Sequence, residues 1–407
     1  MKKHLTTLFL ALMLAAVAAA QGGKIRIEGT IDSKKWDGKR VILFSYGTTI
    51  ESNKIKQGKF IIEDSVYQPQ LSNFDVHGDN DPQVFYSSYL GPRFSDSHII
   101  GNDILILEPG TIHMNFHDVN GKLECTTISG TPLNDRLQDY YNQNLAEIPS
   151  PDDPLRRMID IRSCQVEPNS IEEVWATEKP ITYYYAKLLM NKTNRLWDLY
   201  HANEHNPLGL YAIHELLGMD HNWARKDFAD SILRTTDPWV ARTIRYRLDN
   251  HTLRFYPSDR MLDFKGNAIR KIEGSNNWSE PSPTSFKQLH AKHMSIIYFW
   301  GYDINNNVRD ELVQLRSLLD SIGAKDINFI GVYSSDYELH KLPERLNSTG
   351  IDFPVFIDTD HQIATLYNSR EHHHAFLLVD PDGIILVSTL HSFFDNDTKR
   401  NLRAFLQ

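Results

Sequence analysis

The sequence contains very little cysteine. Of its 407 residues two are cysteines, Cys125 and Cys164, and none lies in residues 165–407. Thiol–disulfide exchange requires one thiolate to attack and a second thiol to release the mixed disulfide. The carboxy-terminal half therefore cannot carry such a pair. Cys125 and Cys164 either form one structural disulfide or remain two free thiols, and their spacing resembles no redox motif.

The sequence also lacks an excess of positive charge and, after its first 20 residues, any long apolar run. Lys and Arg number 43 against 52 Asp and Glu, which gives a net charge of -9. We therefore expect no nucleic-acid partner. A membrane span needs roughly 20 apolar residues, so we expect no span either. The 41% of hydrophobic residues suits a globular protein, and the length suits two or three domains.

The first 20 residues have the composition of a secretory signal peptide. Met1, Lys2 and Lys3 give a basic start, residues 5–17 are apolar, and a run of small side chains ends at Ala20. We predict cleavage near Ala20. No cysteine follows directly, so a lipid anchor is not expected. The pattern predicts a periplasmic or secreted protein that is soluble after cleavage.

Residues 21–130 alternate in the way that is typical of an all-β domain. Apolar side chains occupy every second position between turns that contain Gly and Asp. A β-sandwich of about 100 residues is the simplest architecture for this pattern. The alternating residues are Ile25, Ile27, Ile31, Val41, Leu43, Phe60, Ile62, Ile112, Met114 and Phe116.

Residues 131–255 change to helical spacing, and we expect a helical connector there. Apolar residues three or four positions apart, such as Leu133, Leu137 and Tyr140, indicate amphipathic helices. Prolines mark several predicted helix starts, at Pro154, Pro180, Pro207 and Pro238. The aromatic residues of this segment, Tyr183, Tyr184, Tyr185 and Trp197, are interpreted as packing surface rather than a cofactor site.

Two segments of the β region resemble a known arrangement. Leu107-Glu108-Pro109-Gly110-Thr111-Ile112 and Ser129-Gly130-Thr131-Pro132-Leu133-Asn134 look like parts of an uncharacterised β-domain of secreted Gram-negative proteins. In that family the β-domain and a helical linker precede a module similar to the TlpA/ResA-like thiol-disulfide oxidoreductases and the AhpC/TSA group. The resemblance implies a fold and an envelope location, and it implies no activity for the β-domain.

Residues 256–407 have the pattern of an α/β domain. Residues 296–300 and 327–332 are continuous apolar runs, which are typical of buried parallel strands. Between them, the spacing of Leu312, Leu315 and Leu319 predicts a helix that Gly323 ends. Two more strands are predicted over residues 375–379 and 384–387, with a last helix over residues 398–406. This order is that of a thioredoxin fold.

The resemblance fails at the positions where such oxidoreductases are active. They carry Phe-Trp-Ala-x-Trp-Cys-x-x-Cys, whereas this chain has Phe299-Trp300-Gly301-Tyr302-Asp303-Ile304-Asn305-Asn306-Asn307. Ile304 and Asn307 stand where the two cysteines would be. His374 stands where the family has a proline that is usually cis. The resemblance therefore implies a retained fold whose redox site has changed.

Our hypothesis from the sequence is a non-catalytic cell-envelope protein that binds or scaffolds. The partner would be an unidentified envelope protein or peptide, and no cofactor is expected. The predicted binding surface consists of Tyr302, Asp303, Asn305, His372 and His374. The alternative is a thiol-disulfide oxidoreductase or peroxide-related enzyme that uses Cys125 and Cys164 or the thiols of a partner. A third reading is a purely structural role for the β-domain.

Three consecutive histidines, His372, His373 and His374, raise the question of a metal site. Adjacent residues at a strand start point to opposite faces, and no thiolate or Glu-x-x-His pattern completes a tetrahedral set. We therefore predict no metal. The carboxylates Asp336, Asp358 and Asp360 are interpreted as loop and cap residues.

Overall fold

The computed structural model describes residues 22–45, 48–78, 85–88, 91–94, 99–100, 103–218, 257–261, 263–301, 306–336, 339–367, 374–389 and 395–406. The predicted signal peptide lies outside these residues. The chain divides into two compact units, the first comprising Met1–Ile148 and Lys192–Gly218 and the second Pro149–Asn191 and Met219–Gln407.

The first unit is rich in β-structure, as its alternating pattern predicts. One sheet has five strands in the order β4-β1-β10-β11-β8, a second has four in the order β3-β2-β5-β9, and β6 and β7 form a separate pair. The strands are β1 (Gly23–Ile31), β2 (Arg40–Ser45), β3 (Thr48–Glu51), β4 (Lys59–Val66), β5 (Gln70–His77), β6 (Phe85–Ser88), β7 (Gly91–Phe94), β8 (Ile99–Ile100), β9 (Ile104–Leu107), β10 (Gly110–Val119) and β11 (Lys122–Ser129).

The core of this unit lies between the two larger sheets. Ile27 and Ile112, from paired strands of the five-stranded sheet, pack in one apolar cluster with Leu43 and Phe74 of the four-stranded sheet. Every alternating residue named from the sequence is buried. The prediction of a sandwich is therefore confirmed. Burial of one side chain of this size stabilises the fold by about 1.5 to 3 kcal/mol, so the shared cluster holds the two sheets together.

Helices follow the sandwich, but they do not form a unit of their own. Helix α1 (Pro132–Leu145) and helix α5 (Pro207–Gly218) belong to the first unit, and helices α2 (Pro154–Arg162) and α3 (Ile171–Ala176) belong to the second. Helix α4 (Glu178–His201) is divided between the two at Asn191. The helices predicted for residues 131–255 are therefore present in the described part of that segment, and its limits as a separate connector stay a prediction. Helical spacing shows that helices are present, but not which sheet they pack against.

Proline positions give a mixed result for the helix starts. Pro154 and Pro207 are the first residues of α2 and α5, as predicted, because proline needs no hydrogen-bond partner there. Pro180 is the third residue of α4, and Pro238 lies outside the described residues. No helix among the residues that the structure describes is both long enough and apolar enough to cross a membrane.

The second unit is built on a seven-stranded sheet in the order β13-β12-β16-β15-β14-β17-β18. Strands β14, β15 and β16 are parallel, and β17 runs antiparallel to β14. The strands are β12 (Lys265–Ile269), β13 (Ser282–Ser285), β14 (Ser295–Trp300), β15 (Asn328–Tyr333), β16 (Val355–Ile357), β17 (His374–Val379) and β18 (Ile385–Ser388). The predicted parallel pair and hairpin are confirmed, whereas the sequence pattern did not predict β12, β13 and β16.

Helices cover both faces of this sheet. Helix α7 (Asn306–Ser321) connects β14 to β15, and its predicted apolar residues Leu312, Leu315 and Leu319 pack on Ile296 and Tyr298. On the opposite face Phe264 contacts Phe286, Phe356 and Tyr367. The result is an α/β domain with a helical layer on each side. The helices are α6 (Phe286–His290), α7 (Asn306–Ser321), α8 (Leu342–Thr349), α9 (Gln362–Leu366) and α10 (Asn396–Leu406).

Candidate functional site

The parallel strands of the second unit end at one edge of the sheet. Trp300, Tyr333 and Ile357 are the last residues of β14, β15 and β16. His374 opens β17 directly opposite Trp300, because the two strands are antiparallel. Ligands of open α/β sheets bind at the carboxyl ends of the strands. We call this edge, defined by Trp300, Tyr333, Ile357, His374 and the start of α7, the carboxyl edge.

Helix α7 begins at Asn306, soon after β14 ends at Trp300. Asn307, which stands at one degenerate cysteine position, is therefore in the first turn of α7. His374, at the degenerate proline position, lies at the same edge. The backbone thus brings Asn307 and His374 to the predicted site. Ile304 and the binding candidates Tyr302, Asp303, Asn305 and His372 lie outside the described residues.

The side chain of Trp300 is buried directly beneath the carboxyl edge. It is 2% exposed and shares an apolar cluster with Val308 of the first turns of α7. Its ring lies against Gly331, where an added Cβ would stand 2.5 Å from Cη2. The indole Nε1 is buried and has no hydrogen-bond partner among the residues that the structure describes. A larger residue than glycine at position 331 would displace the ring, so Gly331 fixes its position.

Tyr298 and Glu311 make a polar contact beneath α7. The buried Tyr298 hydroxyl donates a hydrogen bond of 2.7 Å to Glu311 Oε2. Burial and, next, the negative charge of Glu311 raise the pKa of Tyr298 well above its usual range. Tyr298 is therefore a neutral hydrogen-bond donor at physiological pH. Neither group is a nucleophile that could replace a thiolate.

Asp358 organises the loops at the ends of β15 and β16. Its carboxylate accepts hydrogen bonds from the backbone N–H of Ile363 at 3.0 Å and of Ala364 at 2.7 Å, and from Ser334 Oγ at 3.1 Å. Asp358 is 2% exposed. The interpretation of this residue as a cap is confirmed. Its lone pairs are used by the fold, so it holds the loop and helix α9 rather than acting as a catalytic acid.

The two cysteines are free thiols, so the candidate disulfide between Cys125 and Cys164 is not formed in the structure. Cys125 lies on β11 of the first unit, and Cys164 follows α2 in the second. Cys125 is half-buried against the sandwich core, and burial raises the pKa of its thiol to about 12. Cys164 is exposed. The two side chains belong to different units.

Among the described residues no group of three or more His, Cys, Asp and Glu side chains could hold a metal ion. His372 and His373 are not described. His290 makes a buried contact instead, with Nδ1 2.8 Å from Ser295 Oγ and its ring stacked on Phe286. This contact lies at the opposite edge of the sheet, where β14 begins.

Comparisons with known proteins agree with the topology of the second unit. The model of the AhpC/TSA family matches residues 258–388. The model of DUF4369, a domain of unknown function, matches residues 25–137. Residues 258–388 are an AhpC/TSA thioredoxin-like domain. They follow a β-rich DUF4369 domain, as the resemblance implied. A search of the curated proteins found no match.

Solved structures similar to this chain include redox proteins. One is the thioredoxin domain of a thiol-disulfide oxidoreductase from Bacteroides vulgatus, with 14% identity over 37% of this chain and 96% of that chain and a TM-score of 0.28. A second is AhpC from Enterococcus faecalis, with 17% identity, a match that covers 36% of this chain and 87% of that chain, and a TM-score of 0.28. A third is a 2-Cys peroxiredoxin from Plasmodium vivax, with 20% identity, a match that covers 36% of this chain and 94% of that chain, and a TM-score of 0.28.

Sequence reasoning missed three residues that shape the carboxyl edge. The role of Glu311 could not be recognised from the sequence, because glutamate is common on helix surfaces. Only the folded structure shows that the Tyr298 hydroxyl lies beneath it. Ser334 follows an apolar strand and carries no distinctive pattern. Gly331, within the strand predicted over residues 327–332, was the available signal, since glycine inside a strand indicates a close approach by another group.

Proposed function

We propose that this protein is a non-catalytic cell-envelope protein whose thioredoxin-like domain binds a protein or peptide partner at the carboxyl edge. The observation that carries the proposal is the complete absence of cysteine from residues 258–388. Thiol exchange and thiol peroxidase chemistry both need a thiolate, and no other side chain replaces it. A domain that keeps this fold without a thiol keeps surfaces for binding but not the reactive atom.

The cysteines elsewhere in the chain do not supply a redox pair. With a thiol pKa of about 12, Cys125 has almost no thiolate at neutral pH and is a poor nucleophile. Cys164 is exposed, but it has no resolving partner, since both thiols are free. An exchange reaction that begins at Cys164 would stop at the mixed disulfide. This supports binding over catalysis.

The carboxyl edge offers groups that suit a polar partner. The first N–H groups of α7 have no carbonyl partner within the helix and point toward its amino end. The start of β17 at His374 lies beside the end of β14. We place the binding surface on Tyr302, Asp303, Asn305, His372 and His374. These side chains would supply the specificity of the contact.

Secretion is part of the proposal. The basic start, the apolar residues 5–17 and the small residues up to Ala20 support a signal peptide that is removed near Ala20. The mature protein would then act in the periplasm or outside the cell. Mass determination of the protein recovered from a periplasmic extract tests this directly. A mass that includes residues 1–20 would contradict it.

Site-specific photo-crosslinking tests the binding surface. A photoreactive phenylalanine analogue replaces Tyr302, and the matched control replaces Tyr67, which is 99% exposed in the first unit. We expect a discrete adduct from position 302 that is absent at position 67 and is lost when Asn305 and His374 are changed to Ala. No adduct at 302, or the same adduct from both positions, would contradict the proposed surface.

The competing function is a thiol-disulfide or peroxide-related enzyme that works through Cys164 and the thiols of a partner. The exposure of Cys164 is the observation that favours it. Such an enzyme would lose turnover in Cys164→Ser, whereas the binding function would not depend on that residue.

A further inference from the structure

Basic residues concentrate in one part of a chain that is acidic as a whole. The protein has a net charge of -9, yet residues 34–59 contain seven basic side chains against the carboxylates of Asp37 and Glu51. The basic residues are Lys34, Lys35, Lys39, Arg40, Lys54, Lys56 and Lys59. Lysines 34, 35, 54, 56 and 59 are exposed. Such local charge asymmetry creates a positive potential that the net charge conceals.

The sandwich brings these residues to one end. Strand β1 is parallel to β10 and antiparallel to β4, so the end of β1, the end of β10 and the start of β4 lie together. The connection between β1 and β2 therefore lies beside the connection between β3 and β4 and the turn between β10 and β11. The carboxylates at this end, Asp32, Asp37 and Asp118, each accept hydrogen bonds from backbone N–H groups. We call the exposed surface formed by Lys34, Lys35, Lys54, Lys56 and Lys59 the lysine-rich end.

Hydrogen bonds hold these loops in a fixed arrangement. The Asp37 carboxylate accepts from the backbone N–H of Gln57 at 3.0 Å and of Gly58 at 2.9 Å. The N–H of Gly38 donates to the carbonyl of Ile55 at 2.9 Å. Asp37 is thus directed toward the backbone of the neighbouring loop. The lysines are carried on a rigid support and need little ordering when they meet a partner.

Trp36 is the centre of this arrangement and is not available to a ligand. It is 1% exposed, and its Nε1 donates to Asp118 Oδ2 at 2.8 Å. Lys39 Nζ lies 4.9 Å and Lys35 Nζ 5.9 Å from the centre of its ring. The cation–π contacts stabilise lysine side chains above the ring and leave their charges at the surface.

We propose that the lysine-rich end docks on the surface of an anionic phospholipid bilayer. Lysine ammonium groups near such a surface each contribute about 1 kcal/mol, and clusters of roughly four to eight basic residues are typical of segments that bind anionic headgroups. The exposed large apolar side chains described in residues 22–78 are Ile61, inside β4, and Tyr67, at the other end of β4. The contact would therefore be electrostatic, without insertion of apolar groups.

The composition of the lysine-rich end distinguishes lipid from other polyanions and from protein. Protein interfaces are depleted in lysine and enriched in arginine and aromatic residues. Nucleic-acid sites stack bases on exposed aromatic rings, and Trp36 is buried. Arg40 is the one arginine among the seven basic residues of residues 34–59. It donates a hydrogen bond to the Ser52 carbonyl at 2.9 Å. A spread set of point charges suits a surface of headgroups that has no fixed geometry of its own.

Vesicle co-sedimentation of the mature full-length protein tests this proposal. Vesicles of phosphatidylcholine alone are compared with vesicles of equal parts phosphatidylcholine and phosphatidylglycerol. Binding is measured at about 50 mM and about 500 mM salt, because screening at the higher concentration removes surface attraction. The test variant is Lys34→Gln/Lys35→Gln/Lys54→Gln/Lys56→Gln, and a second variant changes the same residues to Arg.

The matched control makes the same change in net charge on the second unit, at Lys179→Gln/Lys187→Gln/Lys287→Gln/Lys292→Gln, where all four lysines are exposed. Thermal unfolding establishes that each variant is folded. We expect the wild type to bind the anionic vesicles at low salt and to be released at high salt. The four Lys→Gln changes at the lysine-rich end should reduce affinity roughly tenfold or more, while the control and the Arg variant keep binding.

Several results would overturn the proposal. One is the absence of wild-type binding to anionic vesicles at low salt. Another is an equal loss of binding in the test variant and the control, because the effect would then follow net charge. Retention of a DNA duplex by the lysine-rich end under conditions where vesicles are not bound would assign the surface to nucleic acid.

Discussion

The side-chain amide of Asn134 pairs with both backbone polar groups of Ile106. Ile106 N–H donates to Asn134 Oδ1 at 2.9 Å, and Asn134 Nδ2 donates to the Ile106 carbonyl at 2.7 Å. Ile106 is on β9, the edge strand of its sheet. The amide thus takes the place of a neighbouring strand and closes the edge. Glu108 supports the contact, since its carboxylate accepts from the N–H groups of Leu133 and Asn134 at the start of α1.

These contacts explain the two segments that resemble the β-domain family. One segment carries Glu108 and the other carries Asn134, and the hydrogen bonds join them. Gly110 and Gly130 have φ of 131° and 99°, which only glycine adopts without strain. The residues of both segments therefore serve the junction of sandwich and helix. They give no reason to place an active site there.

Asn134→Ala should destabilise the protein by about 2 to 4 kcal/mol, because two buried backbone groups of Ile106 lose their partners. Asn134 is fully buried, so water does not replace the amide. Chemical denaturation with a tryptophan fluorescence readout measures the change in the free energy of unfolding. Asn142→Ala, an exposed position on the same helix, is the control and should change it by no more than about 0.5 kcal/mol. Equal effects of the two substitutions would contradict this role.

The cysteines should differ strongly in reactivity. Because burial raises the pKa of Cys125 to about 12, its thiol should resist iodoacetamide at about pH 8, while the exposed Cys164 reacts. Peptide mass spectrometry after timed alkylation gives the two rates. Both thiols should react at similar rates in denaturant, which controls for accessibility. Faster modification of Cys125 than of Cys164 in the folded protein would contradict the burial of the Cys125 thiol.

His290 should make the second unit sensitive to acid. Burial lowers the pKa of His290, so the unfolded chain takes up its proton at a higher pH than the folded protein does. The stability linked to this group is complete above the unfolded pKa of about 6.5 and is lost as the pH falls below it. Asp380 and His293 are the titratable neighbours that act on its charge.

His290→Asn keeps a polar group beside Ser295 but cannot titrate. The free energy of unfolding of the wild type, relative to this variant, should decrease between about pH 7 and about pH 5. Urea titrations at a series of pH values give this difference. His293→Asn is the control, because the His293 ring is exposed. A constant difference across the range would mean that His290 is not held neutral.

Tyr298→Phe should remove the hydrogen bond to Glu311 and cost about 1 to 2 kcal/mol. Glu311→Gln should cost less, because an amide oxygen still accepts from the hydroxyl. Thermal unfolding of the two variants measures the order of these effects. If Tyr298→Phe were as stable as the wild type, the contact would contribute nothing to the packing of α7.

Most of the fold could be predicted because a strand or helix that buries one face has apolar residues at regular intervals in the sequence. The alternation at Ile25 and Ile27 indicates a half-buried strand. The spacing of Leu312, Leu315 and Leu319 indicates the face of α7 that packs on the sheet. These patterns depend on neighbours in sequence. The same reasoning located the carboxyl edge, since Trp300 ends an apolar strand and His374 begins another.

The remaining features depend on contacts between distant residues. The Asn134 amide meets Ile106 only after the sandwich has formed, and Glu311 meets Tyr298 only after α7 has packed. The division of α4 between two units does not change its apolar spacing, because both halves of the helix bury apolar side chains, Ile181 and Ala186 in the first and Leu196 and Tyr200 in the second. A side chain that satisfies a backbone group looks like any other polar residue in the sequence.

The measurement that tests the central claim most directly is insulin reduction with dithiothreitol as the electron donor, using the mature full-length protein. A thioredoxin-like domain without a thiol cannot carry electrons to the insulin disulfides, so we predict a rate equal to that without protein. Cys125→Ser and Cys164→Ser should leave that rate unchanged. Turnover above the background that either substitution abolishes would show that the protein is a redox enzyme, and would contradict the assignment of a binding function.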